Sequence, residues 1–184
     1  MADLLMANTS NVKEMKNGRP ESVLLKTAAG AEDGTALPNC AIVTVGGTLE
    51  KTEGKAFDHV RSAEADAATT AVGKFVVVAP EINVQQYRTV DNDIAKFALE
   101  AGEVYTAYEL QLRDRLEFSE AYFATLPAVG QTVNIADDGK LTKAADAGCL
   151  KVISVREQRM PMVVKPNGEM MTSSIKMVKV EVVK

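Results

Sequence analysis

The sequence has few of the residues that most often carry chemistry. Its 184 residues include no Trp, one His, two Cys, five Phe and four Tyr. Imidazole and thiolate groups are the usual ligands of zinc and the usual members of nucleophile–base pairs. Their scarcity argues against most hydrolases and metalloenzymes. We therefore expect a protein that is not an enzyme and that uses no cofactor and no metal ion.

The sequence also lacks a concentration of positive charge. It has 25 acidic and 21 basic residues, a net charge of -4 and a pI near 5.2. Proteins that bind nucleic acids usually cluster Lys and Arg, because contacts with phosphates supply much of their affinity. The densest basic stretch, Lys13, Lys16, Arg19 and Lys26, is diluted by Glu14 and Glu21. We predict a solvated surface and no nucleic-acid partner.

Long apolar runs and targeting signals are absent as well. No stretch approaches the roughly 18 apolar residues of a membrane span, and residues 1–7 have no lysine ahead of their short apolar run, unlike a secretory signal. Cys40 and Cys149 lie in separate apolar runs outside any CxxC motif, which is typical of small buried hydrophobic residues. The sequence does not decide whether Cys40 and Cys149 form a disulfide. We expect the reducing cytosol and no membrane partner.

The sequence does contain short apolar runs separated by Gly and Pro turns. Its hydrophobic fraction of 46% is that of an ordinary globular chain, with one domain or two small ones. Apolar and β-branched runs favour strands at 22–26, 40–45, 75–80, 104–112, 116–119, 132–135, 150–155, 160–164 and 175–183. We predict a mainly β protein, a β-barrel or β-sandwich with little helix, whose single β-rich domain spans residues 23–184.

Residues 1–22 are predicted to form an extended N-terminal arm. The apolar patch of Leu4, Leu5 and Met6 precedes a polar run and a turn at residues 17–20. Such a segment is either disordered or ordered by docking onto a neighbour. We predict that Leu4, Leu5 and Met6 contact a partner or a neighbouring subunit.

Several local features carry separate predictions. The Asp-Asp-Gly sequence at 137–139 predicts a hairpin turn in which both central residues have positive φ. Residues 113–114 fit a tight turn, and a change of period at 177–178 suggests a β-bulge. Residues 63–72, rich in Ala and Thr, suggest a short helix, whereas residues 93–103 fit either a helix or a strand.

The apparent catalytic and ligand motifs have structural interpretations. Asp58 and His59 are adjacent, so on a strand they would point to opposite faces, and no nucleophile motif accompanies them. The stretch 47–56 resembles a phosphate-binding loop, but six residues separate its glycines and Ala56 stands where Ser or Thr should hold magnesium. The acidic pairs at 91/93 and 137/138 fit caps and turns, and five Met residues between 160 and 177 suggest core filling or an adaptable contact surface.

Short stretches along most of the chain resemble a known class of protein. They are Asn11-Val12-Lys13, Asn17-Gly18-Arg19-Pro20, Leu37-Pro38-Asn39-Cys40-Ala41, residues 94–110 with Ala101-Gly102-Glu103-Val104-Tyr105, Leu116-Glu117-Phe118-Ser119, and residues 129–141 with Val129-Gly130-Gln131. The pattern is similar to that of the head decoration, or capsid cement, proteins of tailed bacteriophages and prophages. The resemblance also favours an extended conformation for residues 93–103.

The resemblance implies a non-enzymatic virion protein that binds the capsid surface and stabilises the head. Its expected partners are the major capsid protein and further copies of itself, in a homo-oligomer. The expected location is the virion, after assembly in the cytoplasm of the bacterial host. One alternative is a structural protein of the phage tail or connector. Another, of a different class, is a cytosolic β-barrel that binds a small ligand, or an enzyme that uses Asp58 and His59.

Overall fold

The computed structural model describes residues 19–26, 37–48, 60–79, 98–99, 102–159, 163–164, 170–171 and 174–184. Its strands are β1 (Pro20–Lys26), β2 (Leu37–Pro38), β3 (Ile42–Thr48), β4 (Arg61–Ala65), β5 (Phe75–Val78), β6 (Ala98–Leu99), β7 (Val104–Glu109), β8 (Arg115–Ser119), β9 (Thr132–Ile135), β10 (Leu141–Lys143), β11 (Leu150–Arg159), β12 (Val163–Val164), β13 (Met170–Met171) and β14 (Ser174–Val182). The prediction of a mainly β fold is confirmed.

Five strands close into a barrel in the order β1-β4-β3-β5-β7. β1 runs parallel to β4, with Val23 opposite Arg61, and the other neighbouring pairs are antiparallel. The barrel closes where β1 pairs with β7, which sets Val23 opposite Tyr105. The short antiparallel pair of β2 and β6 adds Leu37 and Leu99 to the apolar side chains that the barrel encloses.

Apolar side chains of the barrel fill its interior. Successive residues of a strand point to opposite faces, so Phe75 and Val77 of β5 belong to the barrel core, whereas Val76 and Val78 belong to a second core. β5 is an unbroken apolar run because both of its faces are buried. The barrel core consists of Val23, Leu25, Leu37, Ala41, Val43, Ala63, Ala65, Phe75, Val77, Ala79, Leu99 and Ala107.

The second sheet is antiparallel and has the order β10-β9-β11-β14-β8. After β8 the chain makes a short 3₁₀ helix, Glu120–Tyr122, and Phe123 then forms a parallel bridge with Leu141 of β10. The chain thus passes from one edge strand of the sheet directly to the other. The sheet therefore curls around its apolar face.

The second core lies between this curled sheet and the outer wall of the barrel. It consists of Cys40, Ile42, Ala71, Val76, Val78, Leu110, Leu116, Phe118, Tyr122, Phe123, Val133, Ile135, Leu141, Cys149, Leu150, Val152, Val178, Val180 and Val182. Because β3 and β5 contribute one face to each core, the barrel and the sheet are packed together. Phe118 and Tyr122 stack with ring centroids 4.9 Å apart.

Asn39 and Tyr122 tie the barrel to the second sheet through buried hydrogen bonds. The Asn39 amide donates to the Ala79 carbonyl at 3.2 Å, and its Oδ1 accepts the Ala79 N–H at 3.0 Å. The Tyr122 hydroxyl donates to the Asn39 carbonyl. Burial raises the pKa of Tyr122. Each of these polar groups is hydrogen-bonded, as groups removed from water must be.

Two local predictions were wrong. Residues 63–72 do not form a helix: Arg61–Ala65 is strand β4, since Ala63 and Ala65 alternate with polar residues and fill the narrow barrel. No bulge occurs at 177–178, where β14 pairs with β8 in unbroken register. Both residues are buried, and the bulge lies instead in β11 between Val152 and Ser154.

The predicted hairpin at 137–139 forms, but its turn is of a different type. β9 and β10 pair on either side of it. Only Gly139 has positive φ, at 74°, and the Gly139 N–H donates to the Ala136 carbonyl at 3.3 Å. The turn is therefore a type I turn followed by a left-handed glycine, the commonest longer hairpin connection.

Other strand predictions are confirmed with shifted bounds. β1 begins at Pro20, two residues before the predicted strand, and β7 ends at Glu109 rather than residue 112. The predicted tight turn at 113–114 is present. Of residues 93–103, Ala98–Leu99 form strand β6, while 93–97 and 100–101 lie outside the described residues.

Candidate interaction surface

Five large apolar side chains are exposed in the part of the chain that the structure describes. Their exposed fractions are 41% for Val72, 61% for Leu112, 36% for Leu126, 61% for Val129 and 39% for Val183. Single exposed apolar residues are common on protein surfaces and need no explanation. Three of these residues, however, lie on neighbouring segments of backbone. We call Val72, Leu112 and Val183 the apolar patch.

Backbone hydrogen bonds hold the three segments of the apolar patch side by side. The Val72 N–H donates to the Lys184 carbonyl at 3.2 Å, and the Arg113 N–H donates to the Val182 carbonyl at 2.9 Å. Val183, the third member of the patch, lies between Val182 and Lys184 in the chain and therefore between these two hydrogen bonds. Since hydrogen-bonded neighbouring chains are about 4.8 Å apart, the three apolar residues emerge from one small area of the surface.

The turn between β7 and β8 is held in a fixed conformation at the centre of this area. The Gln111 N–H donates to the Asp114 carboxylate at 2.7 Å, and the Asp114 N–H donates back to the Gln111 carbonyl at 3.1 Å. Arg113 has a φ of 72°, which costs a non-glycine residue about 1 kcal/mol and persists where the surroundings enforce it. Burial raises the pKa of Asp114, and the hydrogen bond from Gln111 opposes that shift.

Positive charge borders the apolar patch. Arg115 pairs with Glu181 at 2.9 Å, and the carboxylate of Asp114 is bound to the backbone. Arg113, in the turn itself, is exposed, and no residue in the described ranges forms an ion pair with it. The patch thus combines apolar side chains with a cation that faces solvent.

β11 and β14 form a ribbon that extends past the rest of the second sheet. Their pairing continues to Arg159 opposite Ser174, whereas β8 pairs with β14 only as far as Met177. Beyond that point the described residues of β14 pair with β11 alone. β12 and β13, which set Val163 opposite Met171, lie between these two strands in the sequence. A two-stranded ribbon is marginally stable by itself, so this element is suited to contact with another surface.

A bidentate ion pair covers the outer face of the second sheet. The Arg156 guanidinium donates to both oxygens of Glu117, at 2.6 and 3.0 Å, and also to Gln158 at 3.1 Å. Glu117 is 4% exposed, whereas the side chain of Arg156 is 49% exposed. The hydrogen bonds that Arg156 donates to the Glu117 carboxylate raise the pKa of Arg156.

Both cysteines are buried and neither forms a disulfide; the sequence predicted burial, as for small hydrophobic residues. Cys149 Sγ faces the carbonyls of Ala68 and Val133, at 3.9 and 3.7 Å. Burial raises the pKa of the Cys149 thiol, while backbone hydrogen bonds and the charge of Lys184 partly oppose the shift. The two thiols belong to the second core, where packing accounts for them.

Several residues for which the sequence suggested a function lie outside the described residues. Leu4, Leu5 and Met6 lie outside the described residues, as do Asp58 and His59. The predicted contact of the arm therefore stays a prediction. Within the described ranges, no group of three or more His, Cys, Asp or Glu is arranged to hold a metal ion. The helices found there include none long and apolar enough to cross a membrane.

The apolar patch was not predicted from the sequence. Residues 113–114 were identified as a turn, but Leu112 was assigned to the end of the preceding strand. Val72 fell in the predicted helix, and Val183 was assigned to the last strand. A leucine directly before a tight turn was the one local signal. The patch itself depends on three distant segments meeting, which no local pattern reveals.

Comparison with known proteins gives no relative for this chain. No protein-family model matches it, no curated protein matches it, and no solved structure matches its fold.

Proposed function

We propose that the chain is a non-enzymatic structural protein of a bacteriophage virion. It binds the outer surface of the capsid, contacts the major capsid protein and further copies of itself, and stabilises the head. The resemblance of its short sequence stretches to head decoration proteins suggests this function. The structural support comes from the apolar residues, which fill the interior of the barrel and are also exposed at a few positions on the outer surface.

The filled barrel is the observation that carries the proposal. Val23, Ala63, Val77 and Ala107 of the barrel core are fully buried, and Phe75 is 7% exposed. Barrels that enclose a ligand generally have eight or more strands, whereas this one has five. A chain built in this way contacts other molecules with its outer surface. That favours a structural role over a β-barrel that holds a small ligand inside.

The outer surface has two elements suited to contact. The apolar patch at Val72, Leu112 and Val183 is exposed, and the β11–β14 ribbon extends past its neighbouring strands. Exposed apolar residues on adjacent segments, and strands that lack neighbours, are both typical of proteins that add to a larger assembly.

A sedimentation experiment tests the proposed function. Purified protein is mixed at micromolar concentration with decoration-free capsids, assembled from the major capsid protein of the same phage, and the capsids are pelleted. We expect saturable binding with a fixed number of copies per capsid. Protein that stays in the supernatant at all concentrations would refute the proposal. Filaments or rings formed by the protein alone in negative stain would favour a tail or connector protein instead.

A further inference from the structure

We infer that the apolar patch of Val72, Leu112 and Val183, with Arg113 beside it, is the surface that docks onto the capsid shell. Its partner is a protein surface whose apolar pocket is bordered by a carboxylate. This inference rests on the proposed function and assigns the contact site for it.

The apolar part of the patch is concentrated rather than scattered. Leu112 is 61% exposed and stands at the tip of the β7–β8 turn, while Val72 and Val183 are 41% and 39% exposed on the two adjoining segments. Three exposed apolar residues from separate parts of the sequence therefore lie on adjacent backbone segments. Exposed apolar surface that is concentrated in this way is a feature of protein contact sites.

The tip of the turn is organised before any partner binds. Reciprocal hydrogen bonds between Gln111 and Asp114 close the turn, and backbone hydrogen bonds of 2.9 Å join Arg113 and Asp114 to Val182. Arg113 is held in the left-handed region, with a φ of 72°. A rigid tip loses little conformational entropy when it docks, which favours binding.

The charge beside the apolar patch indicates which kind of partner binds there. The chain has a net charge of -4, yet the exposed charge at the tip of the turn, Arg113, is a cation. A complementary carboxylate on the partner would pair with it. A symmetric dimer through the same patch would instead bring two such cations together, because a two-fold interface uses the same residues on both copies. Charge therefore favours a different protein over a second copy.

Two matched substitutions test the inference. Leu112→Asp changes the centre of the patch, whereas Val129→Asp changes a residue of equal exposure, 61%, in a turn beside Val152 on another part of the surface. Both sites are exposed, so we expect the melting temperatures of both variants to stay close to that of the unmodified protein. In the capsid sedimentation experiment Leu112→Asp should bind at least about tenfold more weakly, as loss of a central contact does, and Val129→Asp should bind normally.

A charge reversal tests the electrostatic part. Arg113→Glu should also weaken capsid binding about tenfold, and added salt should weaken the binding of the unmodified protein more than the binding of this variant.

If the unmodified protein binds capsids and Leu112→Asp binds equally well, the inference is wrong although the proposed function stands. If Leu112→Asp alters the oligomeric mass but not capsid binding, the patch joins copies of this chain, and the inference is again wrong. If the unmodified protein does not bind, both fail.

Discussion

Glu117 is buried on the side of β8 that faces away from the second core. Its neighbours Leu116 and Phe118 pack into that core, so a carboxylate at 117 must be satisfied on the other face of the sheet. Arg156 supplies two hydrogen bonds, and its guanidinium reaches the carboxylate across β14. A buried carboxylate that loses its partner is strongly unfavourable. This contact therefore contributes to the stability of the sheet.

Arg156→Ala should lower the free energy of unfolding by about 2 kcal/mol, because it leaves Glu117 without its bidentate partner. Arg115→Ala is the matched control, since Arg115 pairs with Glu181 at 2.9 Å but is 61% exposed. A solvent-exposed pair is worth less than about 1 kcal/mol. Urea denaturation of the two variants measures the difference. Equal losses would mean that burial of Glu117 does not strengthen its ion pair.

The Cys149 thiol makes stability depend on pH. Burial raises its pKa in the folded protein, so above about pH 8.5 the unfolded chain loses this proton first. The folded state then holds more protons than the unfolded state, and the free energy of unfolding falls as pH rises. We expect the unmodified protein to lose more stability between pH 8 and pH 10 than Cys149→Ala. Parallel pH profiles for the two proteins would contradict this assignment.

At the scale of elements, sequence patterns predicted most strands and misjudged the connections. The β-branched runs at β5 and β14 were correctly assigned, because alternation and continuous apolarity are local properties. Residues 63–72 were assigned to a helix because Ala favours helices, whereas Ala63 and Ala65 are in fact needed to fill a narrow barrel. The bulge was placed on β14 rather than β11, since two consecutive buried residues, Met177 and Val178, interrupt the alternation of β14 without a change of register.

Gly139→Ala should destabilise the β9–β10 hairpin by about 2 kcal/mol. Gly139 has a φ of 74°, and an added Cβ would lie 2.9 Å from the Cβ of Ala41. Gly130→Ala is the control: its φ is 88°, but nothing lies within 4 Å of an added Cβ. Its loss should be about 1 kcal/mol, from backbone strain alone. Chemical denaturation compares the two, and an equal or smaller loss at Gly139 would contradict the close approach of the turn to Ala41.

Deletion of residues 1–10 should weaken capsid binding or self-association while leaving the melting temperature nearly unchanged. The reason is that Leu4, Leu5 and Met6 are predicted to contact a partner or a neighbouring subunit as part of an extended arm. Differential scanning calorimetry and the sedimentation experiment together check the two halves of the prediction. A large drop in melting temperature would show that the segment is part of the folded core.

At the scale of the whole molecule, the sequence predicted the fold class but not the arrangement. Strand order depends on which distant segments pair, as when β1 closes the barrel on β7 and lies parallel to β4. The division of β3 and β5 between two cores likewise appears only in three dimensions. The apolar patch was missed for the same reason, because residues 72, 112 and 183 meet through backbone contacts between separate turns.

The two packed cores leave the outer surface as the part of the molecule available for binding. Apolar residues that fill neither core, Leu112 above all, are exposed on turns that hydrogen bonds hold in place. A structural protein needs a rigid body with such surfaces and needs no reactive group.

The most direct test of this role is electron cryomicroscopy of capsids before and after incubation with the purified protein. We predict added density at regularly repeated positions on the outer shell, into which the barrel and the second sheet fit with the β7–β8 turn toward the major capsid protein. Capsids that carry no added density at saturating protein concentration would contradict the proposal that the chain is a capsid-binding protein.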